Sequence, residues 1–335
     1  MMGQPGGPRV VILGKPISAK AMEMAAAAGV EVIPSNAYLD TAELEEFFSR
    51  HQPDGVILRL GKIHDAAMAQ SPRLKIIAKH GVGYDTIDLD AANARGVTVS
   101  IATGANAISV AEHALALMLA AARGVAYLDH RMREGHWDKA DFIGTELFGK
   151  TLGIVGMGAI GVHLAKICRG LGMDIRVFDP APSGPADQEF ARVDSVDDLL
   201  SQCDVVSLHC PLNDHTRNMI SAPQLQLMKQ GAILINTARG GLVDLDALVD
   251  ALDSGHVGGA GLDTFPEEPP VLAEGLRRQG RLVFSPHVGA STHEAAERVG
   301  TIAMQQVLDC LAGHEVESRF VVNKPDLAAR QAAVG

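Results

Sequence analysis

Aromatic residues are scarce in this chain: one Trp, three Tyr and nine Phe make up 4% of 335 residues. Ala, Val, Leu, Ile and Gly dominate the 47% hydrophobic content instead. That composition suits α/β layers whose buried parallel strands read as short apolar runs. Cysteine is rare too. Cys168, Cys203, Cys210 and Cys310 form no CxxC and no ligand-like spacing with histidine, so they read as small buried hydrophobes of a reducing cytoplasm, and no metal is expected. Long apolar runs are missing. The richest stretch, AEHALALMLAAARG, is interrupted by Glu112 and His113 and stays below the roughly 18 residues that span a bilayer. The N-terminal MMGQPGGPR lacks the charged and apolar regions of a signal peptide. An excess of basic charge is also absent. With 29 basic and 40 acidic side chains the formal net charge is -11, which disfavours nucleic acid and anionic membrane as partners. A local basic cluster can still receive a small anion.

What is present is two series of strands alternating with helices, in a length that suits two domains. The first series has apolar runs at 9–15, 30–35, 54–60, 75–80 and 97–101, with helical patterns between them. Gly29 and Gly96 stand where helices should end. One long helical pattern, 107–133, leads into the second series. Its runs lie at 151–156, 174–180, 204–210, 232–238, 259–263 and 281–287, and a last helix covers 292–312. Such alternation implies right-handed crossovers and parallel sheets. The expected fold is therefore α/β: two Rossmann-like or flavodoxin-like domains with parallel sheets flanked by helices. The expected division is 1–103 plus 289–335 for one domain and 104–288 for the other.

GMGAIG, 156–161, follows an apolar strand and opens a helix, as the dinucleotide fingerprint requires. Gly156 permits the tight turn, Gly158 lets the backbone approach a pyrophosphate, and Gly161 lets helix and strand pack closely. The free amides and positive end of the helix hold the anion. The next strand ends in Asp179, eighteen residues after Gly161. A carboxylate there accepts from both ribose hydroxyls and repels a 2′-phosphate, so NAD (NADH) is favoured over NADP. Arg176 lies inside that strand and is not the free arginine that a 2′-phosphate needs.

Three later strands of the second series run into polar groups. AILINTA meets Arg239, GAGLD leads to Glu267 and Glu268, and RLVF leads through Ser285 and Pro286 to His287. Ligands of open parallel sheets lie beyond the carboxyl ends of the strands. Each group alone has an ordinary structural use. Together they put a guanidinium, a carboxylate and an imidazole in one region, beside the nicotinamide end of a bound dinucleotide.

At these residues the sequence resembles the D-isomer-specific 2-hydroxyacid dehydrogenases, and most closely their phosphoglycerate dehydrogenase branch. The matching stretches are GTELFGKTLGIVGMGAIG, HCPLNDHTRNMI, INTARGGLVD, GLDTFPEEPP, SPHVGAST, GVGYDTID and ANAISVAEH. The resemblance implies Arg239, Glu268 and His287 as the catalytic set, in an interdomain cleft. It implies cofactor contacts at Ala159, Ile160, Asp179, Pro211, Thr216, Thr237, Ala238, Asp263 and Gly289, with Asp263 accepting from the nicotinamide carboxamide. For the substrate it implies the amides of Val82 and Gly83, with Arg59, Lys79 and Asn106, and Lys139 reaching across a homodimer. The dimer would use the 107–133 helix and the loop 137–147.

The implied reaction moves a hydride between NADH and C2 of a small anionic 2-oxo or 2-hydroxy acid. Protonated His287 donates to the carbonyl oxygen, Glu268 holds the other ring nitrogen and favours the imidazolium, and Arg239 clamps the carboxylate. Leu60 after Arg59 and His80 after Lys79 depart from the branch's pattern, so hydroxypyruvate or glyoxylate is the alternative substrate. A more distant alternative is an NAD-sensing corepressor-like binding protein. No serine-binding regulatory domain is expected within this length.

Overall fold

A computed structural model describes residues 7–36, 38–180, 189–272, 276 and 280–323. The outer ends of the expected first domain, 1–6 and 324–335, lie outside them. The chain divides into two compact units, Met1–Asn106 with Thr292–Gly335, and Ala107–Ser291.

In one unit β1 (Arg9–Leu13), β2 (Glu31–Pro34), β3 (Gly55–Leu58), β4 (Ile76–Lys79) and β5 (Thr98–Ile101) form a parallel sheet in the order β2-β1-β3-β4-β5. Alternate residues of each strand face opposite layers. Val11, Val56, Leu58 and Ile77 pack with Leu44 and Phe48 of α2 (Thr41–His51), Met68 of α3 (Asp65–Ala69) and Ala92 of α4 (Leu89–Ala94). Val10, Ile12, Ile57 and Ile76 pack against Ala21 and Ala25 of α1 (Ala19–Ala27) and against Ala303, Met304 and Val307 of the last helix, α11 (His293–Leu311). Both faces are covered, which is why these strands read as unbroken apolar runs. Each fully buried Ile or Leu contributes about 1.5–3 kcal/mol. α2 starts at a capping box in which Asp40 and Glu43 satisfy each other's backbone amides, and α11 starts at Thr292, whose Oγ1 accepts from the Ala295 amide.

In the other unit seven parallel strands run β12-β11-β10-β9-β6-β7-β8: β6 (Thr151–Val155), β7 (Asp174–Phe178), β8 (Ala191–Arg192), β9 (Val205–Leu208), β10 (Ala232–Asn236), β11 (Val257–Leu262) and β12 (Leu282–Phe284). This is the doubly wound order, with the direction of winding reversing between β6 and β9. One face packs on α5 (Ala107–Arg123) and α7 (Ala159–Gly170). The other packs on α8 (Val196–Gln202), α9 (Ala222–Leu227) and α10 (Leu245–Asp253).

Two details correct the sequence reading. The single helix expected over 107–133 is two, α5 and α6 (Val125–Arg133), bent by 63°. The break is Gly124, at φ 61, where a Cβ would strike the Phe142 ring. The two-residue strand β8 was not expected, because it is too short to carry a pattern. Among the described residues no single helix is long and apolar enough to cross a membrane.

Candidate active site

The turn after β6 is built by its glycines. Gly156 adopts φ 97, and a Cβ on it would lie 2.8 Å from the carbonyl of His209. A Cβ on Gly161 would lie 2.4 Å from the Gly156 oxygen. Gly158 differs, since a Cβ there would meet nothing within 4 Å. It is the N-cap of α7 and offers no side-chain cap, so the first-turn amides face open space at the winding reversal. Gly158 and Ala159 are exposed and Ile160 is half-buried. Asp179, just past β7, closes the turn by accepting from the Met157 amide at 2.6 Å. Arg192 of β8 donates to the Asp179 carbonyl at 2.5 Å. Sequence reasoning missed this arginine because β8 was not visible.

Five buried side-chain polar atoms among the described residues lack a partner. Three of them, His209 Nδ1, Thr237 Oγ1 and Thr264 Oγ1, lie in the segments that follow β9, β10 and β11. Buried polar groups are nearly always paired, so a row of unpaired ones along one sheet edge marks a place built for a polar ligand. The open cradle at Gly158 and this row fit a dinucleotide.

The catalytic candidates stand at the same edge. After β10, buried Asn236 ties the turn: its Oδ1 accepts from the Ala238 amide at 3.1 Å and its Nδ2 donates to the Arg239 carbonyl at 2.8 Å. Arg239 Nη1 donates to the Ala238 carbonyl at 2.8 Å. A Cβ on Gly240 would lie 1.9 Å from the Phe265 carbonyl carbon, so this turn packs directly on the segment leading to Glu268. Glu268 Oε1 accepts from the Phe265 amide at 3.1 Å, and Oε2 meets His287 Nδ1 at 2.8 Å. Among the described residues His287 Nε2 has no hydrogen-bond partner, and the side chain is 48% exposed. Arrangements of this kind orient an imidazole and leave one nitrogen for proton transfer. His287 sits at φ 54, a costly conformation for a residue with a Cβ, of the sort that persists at functional sites. Glu267 is exposed, and no contact joins it to the pair among the described residues.

Asp263, 1% exposed, accepts from Ser285 Oγ at 2.6 Å, the Val288 amide at 2.9 Å and the Gly289 amide at 2.8 Å. Burial alone would raise its pKa. Hydrogen bonds from His113, Ser285, Val288 and Gly289 outweigh burial and hold it below the usual carboxylate range. The sequence offered Asp263 but not Asn236, His113 or Ser285, whose roles need the fold. Thr216 Oγ1 donates to the Pro211 carbonyl at 2.7 Å and accepts from the Asn213 amide at 2.8 Å, which staples the loop after β9.

The substrate candidates gather in the other unit. Arg59 follows β3, Lys79 ends β4, and Val82 and Gly83 follow it; Asn106 is buried just before α5. Arg59 Nη1 donates to the Lys15 and Pro16 carbonyls at 2.8 and 2.7 Å. Burial first, then the charges of Arg59 and Lys79, push His80 down to about 4. Two cationic side chains, Arg59 and Lys79, thus stand at these strand ends. Lys139 is exposed in the segment after α6.

A winding reversal, a glycine cradle and an oriented histidine–glutamate pair define an α/β protein of the dinucleotide-binding Rossmann type. Residues 115–289 match the model of the D-isomer specific 2-hydroxyacid dehydrogenase, NAD binding domain. A D-3-phosphoglycerate dehydrogenase of Archaeoglobus fulgidus is 38% identical over 321 residues, covering 95% of this chain and 60% of that protein. Among solved structures, the TT0316 protein of Thermus thermophilus superposes with a TM-score of 0.85 at 35% identity, covering 93% of this chain and 99% of that one. A glyoxylate reductase from Paecilomyes thermophila gives 0.83 at 29% identity, covering 94% and 97%. The chain belongs to the D-isomer specific 2-hydroxyacid dehydrogenase family. It spans 50–60% of the length of the first curated relatives it matches.

Proposed function

We propose that this chain is an NAD-dependent oxidoreductase of the phosphoglycerate dehydrogenase type, acting on a small anionic 2-hydroxy or 2-oxo acid. The observation that carries this reading is the 2.8 Å contact between His287 Nδ1 and Glu268, which leaves Nε2 for proton transfer. Bound NADH supplies the hydride that reaches C2. As negative charge grows on the carbonyl oxygen, His287 donates a proton to it from Nε2, and in the oxidation direction takes it back. Glu268 keeps Nδ1–H engaged and so fixes the orientation of the ring. Arg239, steadied by Asn236 and Ala238, clamps the substrate carboxylate with a planar fork. Gly158, Ala159 and Ile160 would hold the pyrophosphate through backbone amides and Asp179 the adenosine ribose. Pro211, Thr216, Thr237, Ala238, Asp263 and Gly289 complete the cofactor set.

The unit 1–106 with 292–335 acts as the substrate-binding domain, through Arg59, Lys79, Val82, Gly83 and Asn106. One observation favours hydroxypyruvate or glyoxylate as the substrate. Arg59 Nη1 is engaged by two main-chain carbonyls, which leaves only Nε and Nη2 to meet a phosphate, and its neighbour Leu60 is half exposed. A homodimer is supported by Val125, Met132, Trp137, Ile143 and Phe148, which expose large apolar surface along 125–148. A cytoplasmic setting is supported by four free cysteines, with burial pushing the Cys168 and Cys203 thiols up to about 12 and Cys210 to about 11. The test is NADH oxidation with phosphohydroxypyruvate, hydroxypyruvate and glyoxylate, compared by kcat/KM. Turnover on at least one is expected, with NADH preferred to NADPH. Background rates on all three would overturn the proposal.

A further inference from the structure

His113 is a half-buried imidazole on α5, among buried Val110, Ala114 and Leu117 of the same helix, and the proposed chemistry does not use it. Its Nε2 lies 2.7 Å from Ser285 Oγ and 3.4 Å from Asp263 Oδ1. Ser285 Oγ in turn lies 2.6 Å from Asp263 Oδ1. Asp263 accepts two backbone amides besides, which marks it as an ionised carboxylate, and an ionised carboxylate can only accept. The single proton of Ser285 therefore goes to Asp263, and its oxygen is left to accept. His113 Nε2 must carry the hydrogen. Donation runs one way, from His113 to Ser285 to Asp263.

The far end of this relay is the turn that carries His287. Asp263 takes the Val288 and Gly289 amides through its carboxylate and the His287 amide, at 2.7 Å, through its main-chain carbonyl. Packing is tight as well. A Cβ on Gly289 would lie 2.9 Å from Asp263 Oδ2 and 3.5 Å from His113 Cδ2. His287 needs such a clamp, because its left-handed backbone relaxes unless the surroundings over-determine it.

We propose that His113 is a positioning residue: through Ser285 it fixes the Asp263 carboxylate and so holds the 285–289 turn that presents His287 to Glu268. The inference rests on the reading of His287 and Glu268 as the proton-transfer pair. It is tested in the full chain with His113→Leu, His113→Gln and Ser285→Ala. Two readouts are used: amide hydrogen exchange of the peptide spanning 286–291, without cofactor, and steady-state kinetics with NADH. Leu at 113 and Ala at 285 should each speed exchange and lower kcat by roughly tenfold, the weight of one charge-assisted hydrogen bond, with KM for the oxo acid changed less than about twofold. Gln at 113, whose amide nitrogen reaches the place of Nε2, should restore both. The double variant His113→Leu with Ser285→Ala should be no worse than either single. Unchanged exchange and kcat in His113→Leu would overturn the inference, and so would a Gln variant as damaged as the Leu variant. If His113→Leu does not fold, Ser285→Ala decides alone. If turnover survives His287→Ala, the proton-transfer reading fails, and the exchange data still decide the relay.

Discussion

The two sheets end their strands in different ways. Where β3 and β4 end, the chain offers charge: Arg59, Lys79 and a neutral His80 crowded by both. Where β10, β11 and β12 end, it offers orientation. Arg239 is tied to Ala238, Glu268 to the Phe265 amide, His287 to Glu268, and Asp263 to Ser285 and two backbone amides. A field of positive charge attracts an anion and tolerates small displacements. Proton transfer to a developing alkoxide requires a hydrogen-bonding group within about 3 Å. On the proposed function, this difference assigns recognition to one unit and chemistry to the other.

Three changes probe that separation. Arg239→Ala removes a held donor, and kcat/KM should fall by about 10²–10³ on every oxo acid tried. A fall confined to one substrate would move Arg239 to the recognition side. Arg59→Ala should act more weakly and selectively, lowering kcat/KM about tenfold for phosphohydroxypyruvate with little change for glyoxylate. An equal loss on both would erase the distinction. The third effect is on stability. Burial, reinforced at His80 by Arg59, lowers His80 and His209 to about 4 from an ordinary value of 6.5. Between those values the unfolded chain takes up protons that the folded chain refuses. Stability is thus complete above 6.5 and falls toward pH 4, by at most about 1.4 kcal/mol per pH unit for each histidine. Asp263, held low, adds a further loss below the carboxylate range. Urea midpoints measured from pH 8 to pH 4 read this slope, which His80→Gln should reduce; a midpoint rising with acid would contradict it.

Much of this was legible in the sequence. The β6 cradle and Asp179 follow from local spacing, because turn, helix and carboxylate lie within one βαβ unit. The contact of Glu268 with His287, and the place of Arg239 on the same sheet edge, follow from parallel strands ending on one side. The break at Gly124 was missed because the apolar pattern continues across it, and only the Phe142 ring shows why glycine is needed. Asn236 was hidden inside ILIN, although a buried amide at the end of an apolar strand signals a tied turn. His113 and Ser285 are 172 residues apart, and no local pattern joins them.

The most direct test is His287→Ala, followed by NADH binding through fluorescence and by turnover on the best substrate of the panel. Turnover should fall by about 10²–10⁴ while NADH affinity stays within about threefold of the parent. Parental turnover in that variant would contradict the assignment of the proton to His287.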